Sequence, residues 1–251
     1  MTTPNDSLDF YPTPDSLAFD MVFSLREVKS GFTTYPKPIL EPSAGDGALA
    51  RQVHALAFNV HHDYKTGEVD QYDKGKARSA ELDCIELSSD FRAVLKKDGF
   101  RVVHDNFLTF RPTTKYAAIV MNPPFSAGAA HLLKALDVMQ DGGKVRCLLN
   151  AETLRNPCTN ERKELAAKLE ELHATVKYIP DAFKNARRTA RVEVALVSVD
   201  IPQREPVSRI RLELQHETTE RLKDNPEFAA LVSSDPITAA IERYNAARKA
   251  C

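Results

Sequence analysis

The stretch that decides the fold is Tyr116-Ala117-Ala118-Ile119-Val120-Met121-Asn122-Pro123-Pro124-Phe125. The apolar run that ends at Met121 predicts a short buried strand. Two consecutive prolines then end strand pairing, because neither has an N–H to donate to a neighbouring strand. An amide side chain, a carbonyl and an aromatic ring are thereby held together at a strand end. In an open α/β sheet, the carboxyl ends of the strands are where ligands bind.

A second stretch, Pro38-Ile39-Leu40-Glu41-Pro42-Ser43-Ala44-Gly45-Asp46-Gly47-Ala48-Leu49, has the same order of elements. It predicts a strand, a turn of small residues and the start of a helix. Gly45 and Gly47 permit a tight turn and a close approach of a ligand to the backbone. The helix that follows begins with free N–H groups. This turn is therefore a second candidate for ligand binding.

Together the two stretches resemble the adenine-specific amino-methyltransferases, enzymes that use S-adenosylmethionine. Glu41–Gly47 is similar to the cofactor loop of that family, and Asn122–Phe125 is similar to its catalytic tetrapeptide. A third stretch, Asp9-Phe10-Tyr11-Pro12-Thr13-Pro14, resembles the N-terminal cofactor segment of the same family. Each motif alone is weak, whereas three motifs in the right order over roughly residues 9–200 are a strong signal.

The resemblance implies an α/β protein with a Rossmann-like class I methyltransferase fold, in which helices flank a mostly parallel seven-stranded sheet. Periodicity predicts strands over 37–41, 82–87, 100–104, 119–121, 144–149, 176–180 and 192–199. Helices are predicted over 14–28, 47–57, 90–97, 127–139 and 160–172. We expect the methyltransferase domain to span residues 1–200. A small helical C-terminal extension is expected over 201–251, with helix patterns at 217–232 and 235–249.

The resemblance also implies which residues bind S-adenosylmethionine. They are Tyr11, Thr13, Glu41, Ala44, Gly45, Gly47, Glu86, Asp105, Asn106, Phe107 and Asn122. Tyr11 and Thr13 would lie over the methionine end of the cofactor, or else belong to an arm that only packs on the domain. Glu41 would accept from the methionine ammonium or orient the loop, and its alternative is a solvated or loop-bracing glutamate.

Glu86 follows the second predicted strand. In a nucleoside-binding α/β unit, an acid at this place accepts hydrogen bonds from the ribose hydroxyls. The alternative is a carboxylate at a helix start, because Ser88, Ser89 and Asp90 open a helix.

After the third predicted strand, the sequence departs from the family pattern. The family usually carries an aspartate directly before a phenylalanine, and here Asn106 precedes Phe107. Either Asp105, which we favour, or the Asn106 side-chain oxygen would hold the amino group of the cofactor's adenine. Phe107 would lie on the adenine face or be an ordinary core residue.

The segment from Asp181 to Arg191 is basic and has no acid after its first residue. By resemblance it borders the pocket for the target base. Phe183 would stack on a flipped base, and Arg187, Arg188 and Arg191 would contact phosphates. The alternative is a solvated basic loop.

The implied reaction is transfer of a methyl group from S-adenosylmethionine to the exocyclic amino nitrogen (N6) of adenine in DNA. Asn122, Pro123, Pro124 and Phe125 are the implied catalytic residues. The Asn122 side-chain oxygen and the Pro123 carbonyl would accept the amino hydrogens, and Phe125 would clamp the base, which is a positioning effect. Three alternatives stay open: an RNA adenine methyltransferase, a protein-glutamine methyltransferase, and a non-catalytic subunit that binds the cofactor.

Composition sets further limits. The chain has 251 residues, 43% of them hydrophobic, and no apolar run of membrane-spanning length, so no membrane partner is expected. A net charge of −1 means that any nucleic-acid contact needs a local basic patch. The cysteines are scattered without ligand spacing, and the adjacent residues of His61-His62-Asp63 rarely converge on one ion, so no metal is expected. A polar N-terminus predicts a cytoplasmic protein, and the resemblance implies a bacterial or phage-encoded enzyme of restriction-modification type.

Overall fold

The computed structural model describes residues 11–29, 32–58, 60–62, 69–71, 81–184 and 192–203. Its α-helices are α1 (Asp15–Phe23), α2 (Ala48–Val53), α3 (Ser89–Lys97), α4 (Gly128–Val138), α5 (Glu152–Arg155) and α6 (Asn160–Glu171), and a π-helical turn over His54–Phe58 and a 3-10 turn over Phe125–Ala127 complete the helical segments of these residues. Its first strands are β1 (Glu27–Lys29), β2 (Phe32–Thr34), β3 (Ile39–Glu41), β4 (Val60–His62), β5 (Val69–Gln71) and β6 (Leu82–Ile85). The later strands are β7 (Arg101–His104), β8 (Ala118–Met121), β9 (Gly143–Asn150), β10 (Thr175–Ile179) and β11 (Val194–Ile201).

Seven of these strands form one sheet in the order β7-β6-β3-β8-β9-β11-β10. The five strands from β7 to β9 are parallel, and β11 pairs antiparallel with both β9 and β10. The mostly parallel seven-stranded sheet predicted from the sequence is therefore confirmed. Within this sheet, β3 is the first strand along the chain. The chain continues outward to β6 and β7 and then returns to the other side of β3 to form β8. The carboxyl ends of β3 and β8 are thus the point where the strand order reverses, which is the usual ligand-binding position in such sheets.

The central strands are buried on both faces. Every residue of β3, β6 and β8 is buried, as expected for parallel strands covered by helices on either side. Ile39 and Val120 pack into the apolar cluster that contains α1 and α2. Leu40 and Ile119 belong to the opposite cluster, which contains α4 and α6. This alternation follows from the two-residue period of a strand and fixes the sheet between two helical layers.

Several local elements go beyond the sequence prediction. The antiparallel pair β1 and β2 and the four-residue helix α5 were not predicted, because elements this short carry little periodicity. Strands β4 and β5 pair antiparallel with each other and form a separate two-stranded sheet. The predicted helices of the C-terminal extension lie outside the described residues, and the domain boundary at residue 200 stays a prediction. In the part of the chain that the structure describes, no helix is long and apolar enough to cross a membrane.

Candidate active site at the strand ends

Three neighbouring strands of the sheet end in polar residues that share one cavity of about 330 Å³. Glu41 is the last residue of β3, Glu86 directly follows β6, and Asn122 directly follows β8. The cavity wall is completed by residues 11–13, by the turn after β3, by the start of α3 and by residues 123–125. The structure thus brings all three sequence motifs to one site, although they are far apart along the chain.

Most of the predicted site residues line this cavity. They are Tyr11, Thr13, Glu41, Ala44, Gly45, Glu86 and the whole tetrapeptide Asn122–Phe125. Leu87, Ser88 and Phe91 also line the cavity and were not predicted as site residues. Leu87 leaves 72% of its surface exposed, although it is a leucine directly after a buried strand. That position beside the predicted ribose-binding acid was the signal that could have identified it.

The turn after β3 depends on glycine. Gly45 and Gly47 have φ angles of 53° and 85°, in the left-handed region that favours glycine. A Cβ at Gly47 would come within 2.9 Å of the Leu95 side chain, because α3 packs closely against this turn. Gly47 does not line the cavity, so its observed role is to shape the turn, whereas Gly45 forms part of the wall.

Glu86 connects the two loops that flank the cavity. Its Oε2 accepts a hydrogen bond from the Gly45 backbone N–H at 2.7 Å, and its Oε1 accepts one from the Ser88 N–H at 2.7 Å. The contact to Ser88 shows that the carboxylate also supports the start of α3, as the alternative interpretation held. A carboxylate has about four lone-pair sites, so each oxygen keeps capacity for a further donor from a ligand.

Glu41 is a buried acid among other acids. Only 1% of its surface is exposed, and its Oε2 has no hydrogen-bond partner. Burial raises the pKa of Glu41 well above its usual range, and the carboxylates of Glu86 and Asp46 raise this pKa further, against a smaller opposing effect of Arg51. A solvated glutamate is thereby excluded at this position. The unpartnered oxygen on the cavity wall is suited to a cationic group of a ligand.

We expect Glu41→Gln to stabilise the fold and to weaken cofactor binding. The unfolded chain releases this proton near pH 4.3, whereas the folded protein holds it to higher pH. The free energy of unfolding of the parent therefore decreases with rising pH across that window. Glutamine has no such proton and should raise the free energy of unfolding at neutral pH by about 0.5–2 kcal/mol. Denaturant titrations at pH 5 and pH 8, with calorimetry of S-adenosylmethionine binding, measure both effects.

The matched control is Glu81→Gln. Glu81 is an exposed glutamate that pairs with Lys37 at 3.9 Å, and its substitution should change neither quantity appreciably. A Glu41→Gln protein that is less stable than the parent at neutral pH, or that binds the cofactor equally well, would contradict this account of the buried acid.

Asn122 lines the cavity, and two hydrogen bonds hold its amide nitrogen. Its Nδ2 donates to the Tyr11 carbonyl at 2.9 Å and to the Thr13 Oγ1 at 3.1 Å. Its Oδ1 is buried and has no hydrogen-bond partner. Since a carbonyl oxygen only accepts, the Tyr11 contact settles which end of the amide is nitrogen. The site therefore presents a desolvated acceptor with unused capacity at the end of β8, which is where an N–H donor of a substrate is expected.

An aromatic cluster lies beside Asn122. The rings of Tyr11 and Phe125 stack with centroids 5.4 Å apart and planes at 21°, and Phe183 contacts both at 5.7 and 5.9 Å. Phe183 was expected to stack on a target base, but its ring is fully buried and offers no face to a base in this structure. The ring packs beneath Tyr11 and Phe125 instead, because the apolar core extends under the tetrapeptide.

The predicted adenine contacts after β7 do not line the cavity. Asp105 is exposed and pairs with His104 at 3.3 Å, and the Asn106 Oδ1 accepts from the Leu108 N–H at 3.0 Å. Phe107 is buried in the apolar core and contacts the His131 ring, as the core alternative held. An asparagine that accepts from the N–H two residues later forms a local turn, which uses the oxygen proposed for the ligand. The choice between Asp105 and Asn106 as an adenine ligand stays a prediction.

The predicted phosphate contacts Arg187, Arg188 and Arg191 lie outside the described residues. Among the residues that are described, no group of three or more His, Cys, Asp or Glu side chains is arranged to hold a metal ion.

Comparisons with solved structures identify proteins with the same fold. The 23S rRNA methyltransferase ErmE matches with a TM-score of 0.51 and 16% identity, over 90% of this chain and 85% of its own. A Listeria monocytogenes protein assigned to the class I S-adenosylmethionine-dependent methyltransferases matches with a TM-score of 0.52 and 12% identity, over 81% and 65% of the two chains. The M protein of the type I restriction enzyme EcoKI matches with a TM-score of 0.53 and 15% identity, over 78% and 45%.

At these identities the likeness is one of fold. Together with the strand order, it confirms the class I Rossmann-like methyltransferase fold that the sequence predicted. The chain spans less than half of the EcoKI M protein. No protein-family model matches the sequence, and a comparison with curated proteins finds no significant match.

Proposed function

We propose that this protein is an S-adenosylmethionine-dependent methyltransferase that modifies the exocyclic amino nitrogen (N6) of adenine in DNA. The observation that carries the proposal is the Asn122 Oδ1, a buried acceptor without a partner at the carboxyl end of β8. An unpaired buried acceptor is costly to keep unless a ligand supplies its donor. An aromatic amine supplies such a donor, and the stacked rings of Tyr11 and Phe125 next to it supply an apolar surface for a base.

The residues on the cavity wall fit the proposed cofactor. The Gly45 turn permits close approach to the backbone, Glu86 has acceptor capacity for ribose hydroxyls, and the unpartnered Oε2 of Glu41 suits the methionine ammonium. S-adenosylmethionine, when bound, supplies an activated methyl group on a sulfonium sulfur. The remaining task of the protein is to hold the accepting nitrogen in line with that methyl group.

The tetrapeptide residues have complementary tasks in this mechanism. The lone pair of an adenine amino group is delocalised into the ring, so the nitrogen is a poor nucleophile. Acceptance of its hydrogens by the Asn122 Oδ1 and the Pro123 carbonyl favours a more tetrahedral nitrogen, whose lone pair is free to attack. Phe125 supports the base through ring stacking. These contacts strengthen as the nitrogen changes geometry, and they therefore lower the barrier rather than only aid binding.

Nucleic acid is favoured over protein as the substrate because of the predicted basic segment up to Arg191 and because the tetrapeptide ends in phenylalanine. DNA is favoured by the resemblance of the three motifs. The EcoKI M protein belongs to a restriction enzyme, whereas ErmE acts on 23S rRNA, so the solved neighbours include both kinds of substrate. Methylation of RNA or of glutamine in protein is therefore an alternative result that the following experiment distinguishes.

The decisive experiment is transfer of a radiolabelled methyl group from S-adenosylmethionine to separate DNA, RNA and protein fractions. We expect the label in DNA. Digestion of the product to nucleosides should recover the label as N6-methyl-2′-deoxyadenosine. Calorimetry of cofactor binding separates an enzyme from a non-catalytic subunit. Label on RNA, on cytosine or on glutamine would replace the proposed substrate, and failure to bind the cofactor would end the proposal.

The basic segment gives a prediction about nucleic-acid binding. Replacement of Arg187 and Arg188 by alanine should weaken binding and flatten the dependence of log affinity on log salt, because fewer counterions are released. A loss of two phosphate contacts should reduce the slope by about 1.8 for duplex DNA. The measurement is a fluorescence-anisotropy titration of the protein against one oligonucleotide at several salt concentrations.

Alanine at Lys96 and Lys97 is the matched control, since this exposed basic pair lies at the end of α3, away from the cavity. An unchanged slope in the arginine variant would leave the segment as ordinary solvated surface.

A further inference from the structure

We infer that residues 11–14, here termed the N-terminal strap, position the catalytic amide by accepting both hydrogens of the Asn122 side chain. Thr13 is on this account a positioning residue, in addition to any contact that it makes with the cofactor. The inference rests on the proposed function, because it assigns the strap a task in the same reaction. The inference follows from the direction of the two hydrogen bonds that the Asn122 Nδ2 donates, and from the Asn122 Oδ1, which has no partner.

The count of donors and acceptors is complete for this side chain. An asparagine amide has two N–H donors and one acceptor oxygen. The Tyr11 carbonyl takes one donor and the Thr13 Oγ1 takes the other, while the oxygen remains buried and unpaired. Nothing on the amide is left that a ligand could use except the acceptor. The strap therefore makes Asn122 purely an acceptor toward the cavity.

The opposite orientation of the amide would prevent the reaction. If the side chain turned by 180°, its oxygen would face the Tyr11 carbonyl, and two acceptors would repel each other. The NH₂ group would then point toward the cavity, where it would meet the hydrogens of a substrate amine instead of accepting them. The two orientations have nearly the same shape, so packing alone distinguishes them poorly. The electrostatic preference comes from the strap.

The strap itself is held rigidly. Pro12 and Pro14 fix their own φ angles and confine the residues before them to extended backbone. Helix α1 follows directly, and its buried face packs into the core. At the far end of α1, the Arg146 side chain donates from Nε to the Ser24 Oγ at 2.8 Å and from Nη2 to the Ser24 carbonyl at 3.1 Å. The strap is thus tied to β9, the strand next to the one that carries Asn122.

The same segment also supports the base-stacking ring. The Tyr11 ring stacks on Phe125, while the carbonyl of the same residue holds Asn122. One residue of the strap thereby contacts both the acceptor and the aromatic surface of the proposed site. The positions of these two groups are coupled through the strap, although they also belong to one tetrapeptide.

The first test is Thr13→Val, which removes the hydroxyl acceptor while it keeps the branched shape. We expect the single-turnover rate of methyl transfer at saturating substrates to fall roughly 10- to 100-fold, the loss typical of a displaced catalytic group. Cofactor affinity by calorimetry should change by less than the rate does. Thr13→Ser restores the acceptor and should recover most of the lost rate. A parent rate in Thr13→Val would overturn the inference, and so would a loss of cofactor affinity that equals the loss of rate.

A second measurement does not depend on activity. In protein with ¹⁵N-labelled asparagine, the Asn122 NH₂ signals are assigned by their absence in Asn122→Ala. The parent should show two distinct hydrogens that are protected from exchange with water. Thr13→Val should shift one of them and speed its exchange, whereas Thr13→Ser should keep the parent pattern. Unchanged signals in Thr13→Val would overturn the inference even if methyl transfer proves to use another substrate. A parent that shows the expected signals but transfers no methyl group would refute the proposed function alone.

Discussion

Asn122→Ala is expected to transfer the methyl group about 10²–10³-fold more slowly than the parent, the range seen when one preorganised polar contact to a transition state is removed. The loss should appear in the rate of the chemical step and only weakly in cofactor affinity. The reason is that the Asn122 oxygen meets the amino hydrogens most strongly when the nitrogen becomes tetrahedral. Single-turnover transfer to an adenine-containing oligonucleotide, with cofactor in excess, measures this step directly.

The fold should survive this substitution. Asn122 follows the last residue of β8, lines the cavity and belongs to neither apolar cluster. The Tyr11 carbonyl and the Thr13 Oγ1 each lose a donor, and water that fills the space left by the shorter side chain can replace these hydrogen bonds. We therefore expect a cooperative unfolding transition close to that of the parent. Thermal melts recorded beside the kinetics separate a slow enzyme from a partly unfolded one.

A matched control is available at the next strand. Asn150 ends β9, and its Oδ1 caps the N–H of Glu152 without lining the cavity. Asn150→Ala should transfer the methyl group at a rate close to that of the parent. A parent rate in Asn122→Ala would mean that the tetrapeptide acts through its backbone and its ring alone. If cofactor affinity falls by the same factor as the methyl-transfer rate, Asn122 acts through cofactor binding rather than through the amino group of the substrate.

The second large effect is expected at Glu86. Glu86→Ala should weaken binding of S-adenosylmethionine by about 1.5–3 kcal/mol, the range for hydrogen bonds to a charged group, which corresponds to about a 10- to 150-fold rise in Kd. Two losses contribute. The variant lacks the proposed acceptor for ribose hydroxyls, and the N–H groups of Gly45 and Ser88 lose the carboxylate that joins their loops.

Isothermal titration with the cofactor measures the Glu86 effect, and a second variant separates its two causes. Glu86→Gln keeps one acceptor oxygen and the size of the side chain, so it should fall between the parent and alanine. Asp90→Ala is the control, because this acid lies four residues further on at the exposed start of α3 and outside the cavity. If Glu86→Ala binds the cofactor as tightly as the parent, the carboxylate is only a brace for α3, and the ribose assignment is wrong.

Much of the fold could be predicted because its signals are local. The run Ile119–Met121 before two prolines predicted a short buried strand with an abrupt end, and β8 ends there. The glycines at 45 and 47 required a turn that few other residues can form, and the structure shows both in left-handed backbone. The three motifs in order predicted a seven-stranded sheet, and strand pairing confirms it. The strand end and the turn depend on residues that are close together along the chain, whereas the seven-stranded sheet was implied by the family resemblance.

Two side chains, Phe183 and Phe107, are buried because of neighbours that are distant along the chain. Phe183 was expected beside a substrate base, yet it is buried under rings contributed by residues 11 and 125. Phe107 faces the core because His131 and the apolar layer around α4 lie opposite it. Sequence spacing placed each of these residues near the right strand end but could not give the direction of its side chain.

The sequence by itself determined which strands end at the site and which residue types stand there, because strand periodicity, prolines and glycines act over a few residues. Only the tertiary structure decided how those residues are used. Glu41 has a raised pKa because folding buries its carboxyl and brings the carboxylates of Glu86 and Asp46 near it. Asn122 becomes a pure acceptor because a segment more than a hundred residues away takes both of its hydrogens. Protonation and hydrogen-bond direction depend on the full set of neighbours in space, and that set exists only once the chain has folded.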